Sequence, residues 1–102
     1  MTKISLEKFT ELVTENPRKV FNVKNKGRIE VGYDADFTIV DMKKTRTITN
    51  DWIESRCKWT PHDGREVTGW PVGTMIRGRL AMWSDEIIGT AHGQPIRFVE
   101  AL

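Results

Sequence analysis

Two histidines, His62 and His92, a single cysteine, Cys57, and the carboxylate pairs Asp34/Asp36 and Asp85/Glu86 are the residues best suited to chemistry in this sequence. A catalytic zinc ion needs several donors converging on one point, often from close spacings such as H-x-H or C-x2-C. The histidines stand far apart in the chain, and only Cys57, His62 and Asp63 share one short stretch. Those three could form part of a metal site, but a packed cysteine beside a solvated loop histidine is the simpler reading. A nucleophile pair of Cys57 and His62 lacks a third group to orient the base. The glycines of "GWPVGTMIRGRLA" fall at turn and strand positions and do not follow the P-loop order whose backbone amides cradle phosphate. The sequence therefore assigns no catalytic, cofactor-binding or metal-binding residue.

The carboxylates raise the sharper question, because "GYDADFTIVD" sets Asp34, Asp36 and Asp41 around a short apolar run. Gly32 can take a positive φ, and Asp34 and Asp36 can accept hydrogen bonds from nearby amides where a chain reverses. Both therefore read as punctuation ahead of a strand, as do Asp85 and Glu86 at a second expected turn.

The elements around these residues follow from periodicity. Leu6, Phe9, Leu12 and Val13 make an apolar stripe at helical spacing, with Ser5 placed to cap it and Ile4 and Phe9 at staple spacing. Asn16-Pro17 should end that helix, leaving Asn16 to cap a short second turn through "PRKVF" and Val20, Phe21 and Val23 to face a core. Beyond it the pattern turns strand-like: residues 28–31, a turn over 32–36, a near-continuous apolar strand over 36–41 and a β-prone run over 45–49. Residues 51–70, with three of the four tryptophans, read as a long loop pinned by large side chains. Residues 74–83 read as one alternating strand, joined across Ser84-Asp85 to residues 86–89 in a hairpin.

Composition bounds the rest. The 102 residues make one modest domain or part of one, 38% apolar and 29% charged, with a net charge of +2 and the charges interspersed. That balance gives no argument for nucleic acid, although Arg77, Arg79 and Lys58 near Trp59 and Trp83 could combine into such a surface. No apolar run approaches the roughly 18 to 20 residues of a membrane helix. The N-terminal "MTKISLEKF" has no apolar segment of signal-peptide length, and the single cysteine fits a reducing, cytoplasmic setting.

Taken together, "NPRKVFNVKNKGRIEVGYDADFTIVD", "SRCKWTPHDGREVTGWPVGTMIRGRLAMW" and "GQPIRF" resemble the C-terminal end of dihydroorotases, in the cyclic-amidohydrolase superfamily. The shared elements are N-P-x-R/K-x-F, K-G-x-I-x-x-G-x-D-A-D-x-x-I/V-x-D and G-x-P-V-x-T-x-x-R-G, and "SRCKWTPHDG" with "VTGWPV" looks most like dihydroorotase. The resemblance implies a parent enzyme that hydrolyses or closes a cyclic amide, interconverting carbamoyl-aspartate and dihydroorotate in pyrimidine synthesis. Its zinc would be held by an H-x-H pair, further histidines, an aspartate and a carboxylated lysine at the strand ends of a (β/α)8 barrel. No H-x-H occurs in this sequence, so no catalytic position carries across.

The fold class implied is α+β, mainly β. Residues 1–24 resemble the last barrel helix, and residues 25–102 the C-terminal share of a small β-sandwich assembled from both chain ends. On this reading Asp34, Asp36 and Asp41 are structural, the missing barrel is the natural partner, and open sheet edges favour self-association. The alternative is an independent β-rich interaction module, or an inactive paralogue that binds a protein partner.

Overall fold

The computed structural model describes residues 3–100. Helix α1 spans Leu6–Val13 and α2 spans Glu15–Phe21; β1 spans Phe37–Thr47, β2 Glu66–Ile76, β3 Arg79–Trp83 and β4 Glu86–Ile87, with a 3-10 turn at Asn50–Trp52. The four strands form one sheet in the order β1-β2-β3-β4. This is a helix pair followed by a mostly β chain, as the sequence implies.

The chain divides into two compact units: residues 37–74 with 80–88, and the remainder, to which residues 75–79 and 89 onward belong. The helical unit begins as its capping residue dictates. The Ser5 hydroxyl accepts from Lys8 N at 3.0 Å, satisfying one of the free amides of the first turn of α1. The helix stops at Val13, earlier than Asn16-Pro17 would require, because Thr14 leaves helical geometry at φ −123° and ψ −76°. Asn16 and Pro17 then lie inside the first turn of α2, where a missing proline N–H costs nothing, so Asn16 is not a cap. Asn22, left-handed at φ 53°, closes α2, and Arg18 and Lys19 sit in its last turn, where the carbonyl ends favour positive charge.

Two expectations about this unit fail. Residues 28–31 form bends and a turn instead of a strand. Val20 and Phe21 do not face a core: they are 73% and 65% exposed, while Val23 pairs with Phe98 in an isolated antiparallel bridge. The apolar stripe of α1 is as regular as its spacing suggests, yet Leu6, Phe9, Leu12 and Val13 are all exposed, and Ile29 and Val31 are almost fully so.

In the sheet unit, β1 absorbs both the apolar run at 36–41 and most of the β-prone run at 45–49. Thr45 and Thr68 bring their hydroxyls to 3.0 Å across β1 and β2, and Ile48 N donates to Arg65 O in the same antiparallel register. The expected single strand over 74–83 is two strands, β2 and β3, separated at Arg77-Gly78, where both residues have positive φ. Alternation of apolar side chains continues straight through that turn, so periodicity alone misses it. The long loop is also shorter than expected, since β2 already begins at Glu66 and contains Trp70.

The hairpin across Ser84-Asp85 forms, with Met82 opposite Ile87 and Trp83 opposite Glu86, but its second strand ends at Ile87 and does not reach residue 89. Both turn residues have positive φ, the geometry that a two-residue hairpin turn needs to match strand twist. Trp70, 3% exposed, is the one buried large hydrophobic residue among those described. Gly73 lies against the Trp83 ring, so close that a Cβ there would stand 2.9 Å from it.

Candidate functional site

Two clusters of polar side chains are each organised around an aspartate. In the helical unit, Lys26 Nζ lies 3.0 Å from Asp34 Oδ2 and 2.5 Å from Asp36 Oδ2. The second oxygen of Asp36 accepts the Arg77 N–H at 2.8 Å, and Gly78 N donates to Ala35 O at 2.9 Å. Asp34 N donates in turn to Asn25 O. Asp36 thus ties the segment leading into β1 to the turn after β2. It acts over a longer range than the local turn hydrogen bonds expected of it.

Electrostatics follow the geometry. Burial pushes the Asp36 carboxyl up, but the Lys26 hydrogen bond, the Arg77 amide and both cationic charges outweigh it, leaving Asp36 below its ordinary value. The same hydrogen bond, donated by Lys26 to Asp36, raises Lys26. Both groups are held ionised, which suits an ion pair and not a proton-transferring acid or base.

In the sheet unit, Asp85 accepts from three donors. Its Oδ1 takes the indole N–H of Trp52 at 3.0 Å and of Trp70 at 3.2 Å, while Oδ2 pairs with the Arg46 guanidinium. Arg46 also lies over the Trp70 ring, 4.7 Å from its centroid, and the Trp52 and Trp70 rings meet at 4.8 Å. Burial pushes Asp85 up; the hydrogen bonds from Arg46, Trp52 and Trp70 prevail and hold it below the usual carboxylate range. The sequence reading placed Asp85 in its turn but missed Arg46 and Lys26, because their partners lie 39 and 10 residues away and carry no local signal.

Beside this cluster a cavity of about 360 Å³ is lined by Trp52, Thr74, Ala81, Met82 and Ile87, with Glu54 and Asp85. It is mainly apolar, and Asp85 is already committed to its three donors. The space offers no pair of groups poised to exchange a proton.

The residues offered as metal ligands do not converge. The Cys57 thiol is exposed, 3.2 Å from Ser55 Oγ and 3.7 Å from Trp59 O. The Ser55 hydrogen bond, aided by backbone contacts, lowers its pKa. Asp63 accepts from Asn50 N, and His62 N donates to Thr60 Oγ1. Among the described residues no three His, Cys, Asp or Glu side chains stand together in a way that could hold a metal ion. The zinc implied by the resemblance therefore finds no fitting ligand set here. Arg77, one of the residues offered to nucleic acid, directs its guanidinium to the His92 carbonyl.

Comparison with known proteins gives these clusters a context. The model of the amidohydrolase family matches residues 1–81. Over 93 residues the chain is 46% identical to a dihydroorotase of Pyrococcus furiosus, covering 91% of this chain and 22% of that protein. A dihydroorotase of Methanothermobacter thermautotrophicus is 40% identical over 84% of this chain and 20% of its own length. An L-hydantoinase (dihydropyrimidinase) structure from Arthrobacter aurescens superposes with a TM-score of 0.79 at 37% identity, over 84% of this chain and 19% of that one. The chain thus spans about a fifth of the length of the relatives it matches. The family model takes in both helices, β1 and β2, and on that basis this chain belongs to the amidohydrolase family.

Proposed function

We propose that this chain is a non-catalytic, structural portion of a dihydroorotase-like zinc amidohydrolase, corresponding to its C-terminal end. The parent reaction would be hydrolysis or closure of a cyclic amide, carbamoyl-aspartate to dihydroorotate, in the cytoplasm. The observation that carries this reading is the employment of the carboxylates. Asp36 and Asp85 are both held ionised by cations and N–H donors, and no ligand set for zinc assembles among the described residues. What the two clusters do is fasten segments distant in sequence, which is the work of a scaffold. The family match and the share of the relatives' length covered support the same reading. So does the exposed apolar surface of α1 and of Ile29 and Val31, which suits packing against a larger body such as the barrel.

The test is direct. The purified chain, supplied with zinc and dihydroorotate, should show no turnover and retain no stoichiometric metal after dialysis. The Pyrococcus furiosus relative, made without the stretch that matches this chain, should regain activity when the chain is added in trans. One equivalent of dialysis-resistant zinc coupled to turnover by the chain alone would refute the proposal.

A further inference from the structure

Residues 90–97 have neither helix nor strand, yet they belong to the helical unit and are fastened near both ends. At the far end Val23 and Phe98 form an antiparallel bridge, in which Lys24 N donates to Arg97 O at 2.8 Å and Val99 N to Asn22 O at 2.7 Å. At the near end the Arg77 guanidinium donates to the His92 carbonyl. Little apolar burial holds this segment, since Ile96, Phe98 and Val99 are all exposed. Its attachment also carries a cost. The His92 Nε2 atom is buried without a hydrogen-bond partner among the described residues, and release would return it to water. Few buried contacts and an unsatisfied polar atom place the segment at the low-stability end of the fold.

The donor at the near end is aimed from elsewhere. Arg77 reaches His92 from a backbone held left-handed at φ 47°, a conformation that residues with a Cβ rarely adopt. Asp36 holds it there: Oδ1 accepts the Arg77 N–H at 2.8 Å, Lys26 Nζ secures Oδ2, and Gly78 N donates to Ala35 O beside them. We propose that residues 90–99 are a detachable strap, latched by the Arg77 guanidinium and governed from the Asp36–Lys26 cluster. Its release frees Asn22 O and Lys24 N–H. Asp36 acts on the strap through Arg77, because its own hydrogen bonds run to Lys26, Arg77 and Asp34 and not to residues 90–99. Arg77 is the positioning residue: its N–H is bound to one distant segment and its guanidinium to another, so disturbing the first loosens the second. The strap goes beyond the scaffold role, since it is a moving part within this chain and stands whatever the rest of an enzyme does.

Amide hydrogen exchange of the 102-residue chain reads the strap directly, through the Lys24 and Val99 N–H groups of the bridge. Arg77→Gly keeps the left-handed turn, which glycine adopts freely, and removes the guanidinium. Exchange at Lys24 and Val99 should then rise about tenfold or more, the worth of one hydrogen bond to a charged group. The Ile48 and Ser84 N–H groups, bonded within the sheet unit to Arg65 O and Val72 O, should keep their rates. Asp36→Ala should accelerate the same two bridge amides, although Asp36 makes no hydrogen bond to the strap. In Arg77→Gly/Asp36→Ala they should exchange no faster than in Arg77→Gly alone, because both changes open one latch. The sheet amides report on folding in each variant, and Arg77→Gly tests the latch even where loss of Asp36 unfolds the chain. Parent rates at Lys24 and Val99 in Arg77→Gly, an equal acceleration of Ile48 and Ser84 in that variant, or additive effects in the double variant would each overturn the proposal.

Discussion

Removing the Asp85 carboxylate should destabilise the sheet unit by an amount that depends on what replaces it. In Asp85→Ala the indole N–H of Trp70 loses its acceptor, and because Trp70 is only 3% exposed, water cannot take over readily. An unsatisfied buried donor costs about 1 to 3 kcal/mol. Arg46 is partly exposed and recovers solvent, so its lost pairing adds roughly 0.5 to 1 kcal/mol after screening. Alanine at φ 67° adds about 1 kcal/mol more, since a Cβ without a local hydrogen bond is disfavoured in the left-handed region. Together these come to about 2.5 to 5 kcal/mol, or a fall in Tm of roughly 10 to 25 °C for a chain of this size.

Asp85→Asn separates the contributions. Its amide oxygen can still accept from both indoles, and asparagine tolerates the turn, so what is lost is the ion pair and hydrogen bond with Arg46, whose guanidinium then faces an amide NH2, at about 0.5 to 1 kcal/mol. Thermal melts followed by tryptophan fluorescence read both variants, with the buried Trp70 reporting on the site itself. The reasoning fails if asparagine proves as damaging as alanine, or if both melt within about 1 °C of the parent. Acid provides the matching test. The folded-state pKa of Asp85 is depressed, so its stabilisation is present above the unfolded value near ~4 and is lost as pH falls through the lower folded value. The parent chain should therefore lose stability more steeply than Asp85→Asn below about pH 4.

Three further substitutions probe the packing. Gly27→Ala should cost about 2 kcal/mol in urea melts, because φ is +84° and the new Cβ would stand 2.7 Å from the Thr14 carbonyl oxygen, which is backbone and cannot swing away. Gly73→Ala, whose Cβ would stand 2.9 Å from the Trp83 ring, should cost about 1 to 3 kcal/mol and shift the tryptophan emission as the ring is displaced. Ile39→Ala should cost only about 1 kcal/mol, well below the value for a fully buried isoleucine, since Ile39 is 41% exposed; a loss of more than about 2 kcal/mol in the same melts would contradict this.

Elements specified by neighbours in sequence were legible, and those specified by distant partners were not. Ser5 caps α1 through an amide three residues on, and the Ser84-Asp85 turn needs only its own two residues in left-handed geometry. Residues 28–31 alternate as a strand should, but a strand exists only where another edge receives its hydrogen bonds, and none does so there. Arg77 conceals the turn between β2 and β3, because a non-glycine residue at φ 47° gives no signal in sequence. Asp36 holds it there by accepting the Arg77 N–H from 41 residues away.

The carboxylates follow the same rule, and it bears on function. Sequence alone could place Asp34, Asp36 and Asp85 at chain reversals, because aspartate competes locally for backbone amides. Whether such a residue is a proton donor or a fastening depends on what approaches its second oxygen. Lys26 and Arg77 reach Asp36; Arg46, Trp52 and Trp70 reach Asp85. Each partner lies at least 10 residues away, and each favours the ionised form. An acid needs a pKa lifted toward working pH, and both sites move the opposite way. The apolar stripe of α1 shows the same division: its spacing is written in Leu6, Phe9, Leu12 and Val13, but the surface that would cover it is not among the described residues of this chain.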